Sequence, residues 1–321
     1  MTAKQILSPN EENISKACAT LRVGGLVAMP TETVYGLAGD ACNDHAIAEI
    51  FALKGRPSFN PLIIHTANFN QAYELAIFPL WAKKLAEIFW PGPLTMVVPR
   101  RDNCPISLLA SAGLPSIALR VPAHPVAQKL LNKFSAPLAA PSANRSGRIS
   151  PTCAIHVAEE LELSIILDGG DCELGVESTI IDCTAEVPVI LRPGSITIEM
   201  LQAIIPASKE LASAEQIASP TQAPKIIAPG MLTSHYAPNI PVRLNAQSGN
   251  VGEALLGFGK IDGNLNLSPT GDLKEAAANL FAYLRQLDSN IYSAIAVAPI
   301  PHKELGIAIN DRLNRAAAPR K

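Results

Sequence analysis

The chain has no stretch approaching the roughly 18 consecutive apolar residues that a membrane-spanning helix needs. Met1 to Lys16 carries charged and polar side chains where a secretory leader would need an apolar centre. These absences lead to the expectation of a soluble, globular, cytoplasmic protein. An excess of positive charge is missing as well: the net charge is −2, residues 1–200 carry 15 Lys and Arg against 19 Asp and Glu, and residues 201–321 carry 11 against 9. Neutralised phosphates supply most of the affinity of a protein that grips a nucleic-acid backbone, so this balance argues against a pure RNA-binding module. Cys18, Cys42, Cys104, Cys153, Cys172 and Cys183 include no Cys-x-x-Cys pair and stand beside no histidine cluster. Neither a zinc site nor a disulfide framework is indicated, and reduced, largely buried thiols are expected.

What is present is core-forming material: 48% of the 321 residues are hydrophobic and 17% are charged, enough for two domains. The first two thirds alternate short apolar strands with amphipathic helices. Strands are expected at 26–29, 62–65, 94–98, 117–121, 165–167, 179–182 and 189–191, and helices at 46–53 behind an Asn43 cap, at 81–89 and at 125–134. The last strands follow one another closely, which implies a mixed sheet with antiparallel pairs in an α/β layer arrangement. From Ile204 to Pro229 the sequence is rich in Ala, Ser, Pro and Gln without an apolar period and reads as a linker. Beyond it, Leu273, Ala276, Ala277, Leu280, Phe281, Leu284 and Leu287 recur at helical spacing between strand candidates at 255–258 and 294–298, and a final helix is expected over 303–315. This second unit reads as a small βαβ fold with parallel strands, and its Gly257-Phe258-Gly259 is too short for a dinucleotide fingerprint.

Four polar loops of the first domain carry residue types suited to a nucleotide or an amino acid. Pro30-Thr31-Glu32-Thr33-Val34-Tyr35-Gly36-Leu37 crowds hydroxyls, a carboxylate and a phenol behind a strand and ahead of a helix, the position at which open α/β sheets bind ligands. Lys54-Gly55-Arg56-Pro57-Ser58-Phe59-Asn60-Pro61 supplies a point charge, a glycine for close backbone approach and a planar fork for phosphate oxygens. Residues 141–151 add serines, an asparagine, two arginines and a following helix start with free amides. Glu177-Ser178-Thr179-Ile180 and Leu191-Arg192-Pro193-Gly194 make the fourth. Arg120 stands in an otherwise apolar strand, where an unpaired charge is expensive; taken alone, such an arginine reads as half of a structural ion pair. A lone His65 at a strand end likewise reads as a hydrogen-bonded filler.

In combination, Pro-Thr-Glu-Thr-Val-Tyr-Gly-Leu, Lys-Gly-Arg-Pro, Trp-Pro-Gly-Pro-Leu-Thr, Pro-Ser-Ala-Asn-x-Ser-Gly, Glu-Ser-Thr-Ile and Leu-Arg-Pro-Gly resemble the YrdC-like family over residues 15–200. Gly230-Met231-Leu232-Thr233-Ser234-His235-Tyr236-Ala237-Pro238 resembles the long, two-domain form of that family's L-threonylcarbamoyladenylate synthases. The resemblance implies an α/β fold with a YrdC-like twisted mixed sheet over residues 1–203, a linker and active-site lid over 204–240, and a smaller Rossmann-like α/β domain over 241–321. It implies a nucleotidyltransferase that makes threonylcarbamoyl-AMP and pyrophosphate from L-threonine, bicarbonate or carbon dioxide and ATP. Mg2+ would accompany ATP on its phosphates, with no metal site of the protein's own. A downstream transferase complex would pass the product to the adenosine beside the anticodon of tRNA; a transient tRNA contact by this chain is compatible with the chemistry and not required by it.

By the same resemblance, Lys54, Arg56, Ser142 and Asn144 form the catalytic signature around the triphosphate, and Asn60, Ser116, Ser150, Arg192 and Tyr236 complete the ATP site. Thr33, His65, Arg120 and Ser178 would form the threonine pocket, with the Arg120 fork on the amino-acid carboxylate; His235 and Tyr236 would form the lid. The main alternative is a non-catalytic double-stranded RNA-binding protein on the same fold, against which the acidic balance of the first 200 residues counts.

Overall fold

The computed structural model describes residues 5–205, 211–213, 227–230 and 234–319. The first strands are β1 (Gln5–Leu7), β2 (Val27–Met29), β3 (Gly36–Asp40), β4 (Ile63–His65), β5 (Leu94–Pro99) and β6 (Ser116–Arg120). They are followed by β7 (Leu138–Ala139), β8 (Ile165–Leu167), β9 (Thr179–Asp182), β10 (Val189–Arg192) and β11 (Ala212–Ser213). These strands form one mixed sheet in the order β1-β8-β2-β3-β7-β4-β6-β5-β9-β10-β11, with β2–β3, β5–β6 and β9–β10 among its antiparallel pairs. The helices of this part are α1 (Glu11–Arg22), α2 (Asp44–Lys54), α3 (Phe69–Leu75), α4 (Leu80–Phe89), α5 (Pro125–Phe134), α6 (Ala154–Glu160) and α7 (Ile198–Gln202).

Local chemistry sets several helix ends. Asn10 and Asn43 cap α1 and α2 by accepting from amides of the first turn, and Gly55 closes α2 at a left-handed φ of 59°. An added Cβ at Gly55 would meet no protein atom within 4 Å, so within the chain this glycine serves the left-handed turn between Lys54 and Arg56. Two departures concern the opening loop. Residues 30–35 connect antiparallel β2 and β3, whose register pairs Met29 with Gly36, and do not lead into a helix as the strand-loop-helix reading had it. The helix α1 and the short strands β1, β3 and β7 were not anticipated either; the strands are two to five residues long, too short for an apolar period to register, whereas α1 carries a readable stripe through Ile14, Ala17, Cys18 and Leu21.

Alternation along the strands divides the core into two layers. Ala28, Leu37, Ile64, Met96, Leu119, Ala139 and Ile181 face a large cluster with residues of α2, α4 and α6. Val27, Met29, Ala38 and Leu138 face the opposite way, under α1 and α5. Farther along that second face, Ile63, Val97, Ala118, Ile180 and Leu191 pack, among the described residues, against Ala228.

The second sheet is wholly parallel, in the order β12 (Val242–Arg243), β15 (Ala294–Val297), β13 (Glu253–Gly257), β14 (Leu265–Asn266), with α8 (Leu273–Leu287) and α9 (Leu305–Ala317) packed on it. The parallel β13–β15 pair and the apolar stripe of α8 agree with the sequence reading, and β12 and β14 extend it. Gly257 and Gly259 serve a tight turn: a Cβ on Gly257 would lie 2.2 Å from the Ile261 carbonyl, to which Phe258 donates. The expected linker falls largely on residues 206–210, 214–226 and 231–233, outside the described residues; within it, Ala212–Ser213 pairs with β10. The second core does not stop at the domain boundary, since Val34, Ile149 and Val176 of the first domain join Tyr236, Leu280 and Phe281 in one apolar cluster.

Of the cysteines, Cys18, Cys104, Cys172 and Cys183 are buried and unpaired as expected, whereas Cys42 is exposed and Cys153 half-buried. No helix among the described residues is long and apolar enough to cross a membrane.

Candidate functional site

A cavity opens among the polar loops of the first domain and the residues that precede the second. Thr33, Arg56, His65, Arg120, Ser142, Ser178, Arg192, His235 and Tyr236 line it, so nine of the residues singled out from the sequence share one wall.

The side of the cavity made by Thr33, His65, Arg120 and Ser178 is tightly ordered. In the β2–β3 connection, Thr31 Oγ1 accepts from the amides of Thr33 and Val34 at 3.2 Å each and donates to the Val34 carbonyl, folding the turn on itself. The Thr33 hydroxyl then accepts from Arg120 Nη1 at 2.9 Å, and Glu32 accepts from Arg120 Nη2 at 2.7 Å. Arg120 Nε donates to the Gly92 carbonyl. The arginine is therefore a buried ion-pair partner of Glu32, as burial of a lone charge demands, and three of its five N–H donors are engaged. Its fork is not free in the sense expected; one donor on each terminal nitrogen remains for a ligand. In the β4–β6 register His65 stands opposite Arg120. Burial first, and the Arg120 charge second, push the imidazole down to about 3, so it is neutral at physiological pH. Ser178 shares a hydrogen bond of 2.7 Å with Thr95 and accepts from Arg192 Nη2 at 3.1 Å.

The other side is cationic. Arg56 is buried, its Nε and Nη2 donating to the carbonyls of Asn60 and Pro61, and burial pushes its pKa down to about 10. Arg192 Nε donates to the Ser178 carbonyl. Behind the wall, Lys54 Nζ donates to the carbonyls of Ser142 and Asn144 at 2.5 Å each, and burial, with the Arg56 charge second, pushes it down to about 7. None of Lys54, Arg56 and Arg192 forms an ion pair among the described residues. Burying the Arg56 and Arg192 cations with no carboxylate within ion-pair distance is costly, and an anion entering between them relieves that cost.

Several expected ligands stand back from the cavity. Asn144 spends its Nδ2 on the carbonyls of Arg145 and Arg148, and its Oδ1 has no partner. Asn60 is buried with both side-chain polar atoms unpartnered, and Ser150 donates to Glu177 Oε1 at 2.5 Å. Ser116 opens β6, four residues and thus roughly 13 Å from Arg120 along the same face. Like Lys54, Asn60, Asn144 and Ser150, it is not among the residues that line the cavity. The helix start after Thr152 is also off the wall: α6 begins at Ala154.

His235 and Tyr236 close the cavity from the side of the second domain. Tyr236 adopts a φ of 61°, uncommon for an aromatic residue, and its ring packs on His235, Phe281 and the guanidinium of Arg312. His235 donates its amide to the Arg315 carbonyl of α9. Burial, then Arg56 and Lys54, hold the imidazole well below its usual range. Its Nδ1 and the Tyr236 hydroxyl are buried without a hydrogen bond of good geometry, although the hydroxyl lies beside Arg192.

Sequence reasoning left out Glu32, Thr95, Glu177 and Arg312. Glu32, Thr95 and Glu177 lie inside the quoted motifs, but nothing local ties Glu32 to Arg120; Arg312 has no local signal.

The fold and site define a two-domain α/β protein built to hold an anionic ligand beside a small polar one. A family profile described as "Telomere recombination" (Sua5_yciO_yrdC) matches residues 19–194, and one described as "Threonylcarbamoyl-AMP synthase, C-terminal domain" matches residues 196–318. The threonylcarbamoyl-AMP synthase of Bacillus subtilis is 40% identical over 98% of this chain and 95% of its own length. A putative threonylcarbamoyl-AMP synthase of Mycobacterium tuberculosis is 34% identical over 60% of this chain and 88% of its own length. The crystal structure of Pyrococcus abyssi Sua5 complexed with L-threonine superposes with a TM-score of 0.85 at 38% identity, covering 96% of this chain and 95% of that one. The chain belongs to the Sua5/YciO/YrdC family, in the long form that carries the threonylcarbamoyl-AMP synthase C-terminal domain.

Proposed function

We infer that the protein is an enzyme that condenses L-threonine, bicarbonate or carbon dioxide and ATP into threonylcarbamoyl-AMP, releasing pyrophosphate. The observation that carries this reading is the union, in one cavity, of unpaired buried cations with a hydroxyl- and imidazole-lined pocket; the threonine-bound Pyrococcus relative supports it. Thr33, His65, Arg120 and Ser178 take the amino acid, whose carboxylate meets the two free N–H donors of Arg120. Threonine is carboxylated through its neutral amine. A carbamate oxygen then attacks the α-phosphorus of ATP, and the bond to pyrophosphate breaks in line. Arg56 and Arg192 face the phosphates, with Lys54 and Asn144 shaping the Ser142 loop behind them. His65 is too weakly basic to hold a proton in this step, so it acts as a neutral hydrogen-bonding partner. His235 and Tyr236 exclude water from the carbamate and the mixed anhydride, both readily hydrolysed.

The carboxylates nearest the cavity, Glu32 and Glu177, are committed to Arg120 and Arg312. The donor set fits a magnesium ion that arrives on the phosphates of ATP, where it supplies further charge neutralisation. The product leaves for a transferase complex that modifies tRNA, and the reaction belongs in the cytoplasm.

Pyrophosphate release measured with Mg2+, ATP and bicarbonate tests the reading. Release should require both bicarbonate and L-threonine and fall strongly with L-serine, L-valine or no amino acid. A folded protein that releases none under any of these conditions overturns it and favours a non-catalytic RNA-binding role.

A further inference from the structure

Arg312 is the largest fully buried side chain of the molecule among the described residues, and it lies in α9 of the second domain. Its contacts are not with its own domain's core. Nε donates to Glu177 Oε2 at 3.0 Å, Nη2 to the Glu177 carbonyl at 3.3 Å, and Nη1 to the Pro193 carbonyl at 2.7 Å and to Asp311 at 2.8 Å. The guanidinium also lies 5.5 Å from the centroid of the Tyr236 ring. One side chain thus ties together the Glu177-Ser178 loop, the Arg192-Pro193 strand end and the closing tyrosine.

The consequence for the cavity is electrostatic and geometric. Glu177 lines the wall, and its other oxygen accepts from Ser150. Unneutralised, that carboxylate would face the place where the phosphates enter and repel them. Arg312 neutralises the charge and fixes the carboxylate, with Ser150 on its other oxygen, so that Arg192 stays available to the anion. We propose that Arg312 is a positioning residue for the nucleotide half of the site, contributed across the domain boundary, so that the second domain completes the ATP pocket. The proposal rests on the reading of this cavity as an ATP site. Relatives such as the Mycobacterium tuberculosis protein align to 60% of this chain over most of their length.

The test compares wild type with Arg312→Lys, Arg312→Gln and the double variant Arg312→Gln/Glu177→Gln, measuring ATP affinity by calorimetry alongside kcat and KM for each substrate. Arg312→Gln should raise the KM and Kd for ATP about tenfold or more while moving the KM for threonine less than threefold. Removing the opposing charge in the double variant should restore most of the lost affinity, since glutamine still accepts from Ser150. Arg312→Lys keeps the charge but loses the fork, and should give an intermediate ATP defect; it carries the test if the glutamine variant fails to fold. Unchanged ATP affinity in Arg312→Lys and Arg312→Gln, equal losses for both substrates, or a double variant with no recovery overturns the proposal. Wild-type protein that binds ATP but makes no pyrophosphate overturns the reaction and leaves the positioning role standing, whereas wild type that binds no ATP overturns both.

Discussion

Lys54 illustrates how a residue type recognised from sequence acquires a different task in the folded chain. Expected around the triphosphate, it holds the carbonyls of Ser142 and Asn144, and burial lowers it to about 7. At pH 8 the free protein therefore holds this amine mostly neutral. A triphosphate nearby favours the ammonium form and raises the pKa, so between the two values binding must take up a proton. ATP binding at pH 8, followed by calorimetry in buffers of different ionisation enthalpy, should show uptake of most of one proton, lost in Lys54→Met. At pH 6, where Lys54 is charged in both states, its contribution should vanish. Binding at pH 8 with no proton uptake would refute this account. Arg120 makes the complementary point: its need for a partner was legible in the apolar strand around it, but Glu32 as that partner was not, since the two are 88 positions apart.

Among elements, the decisive contact is the close approach of the β10 end to the Glu177-Ser178-Thr179 segment. A Cβ on Gly194 would lie 2.4 Å from the Thr179 nitrogen and 2.8 Å from the Glu177 carbonyl oxygen, both backbone atoms that cannot yield as a side chain would. Gly194→Ala should cost about 1–3 kcal/mol of stability and push Arg192 away from Ser178, raising KM for both substrates. Chemical denaturation with an unchanged midpoint would contradict this. The long amphipathic helices and central strands were legible because their apolar period is strong. The β2–β3 pair was not, since the polar residues that form the turn also resemble a loop entering a helix.

At the scale of the whole molecule, the two sheets share an apolar cluster through Val34, Ile149, Val176, Tyr236 and Phe281. Two ion pairs, the half-buried Glu160–Arg285 and the buried Glu177–Arg312, also cross from one domain to the other. Separating the domains would expose this surface and leave charges without partners. Calorimetric unfolding of the full chain should accordingly give one cooperative transition, whereas two resolved transitions would show that the shared core contributes little.

Periodicity and turn chemistry in the sequence determined the α/β class, the main helices and strands and the parallel second unit, because those depend on residues a few positions apart. Motif residues likewise marked the loops that line the cavity. Tertiary structure alone decided which of them touch its wall, that Arg120 is paired and Ser116 distant, and that α9 supplies Arg312 from the far end of the chain. Charge pairing and burial act between positions more than a hundred residues apart, and no local pattern records which distant residue will neutralise a buried charge.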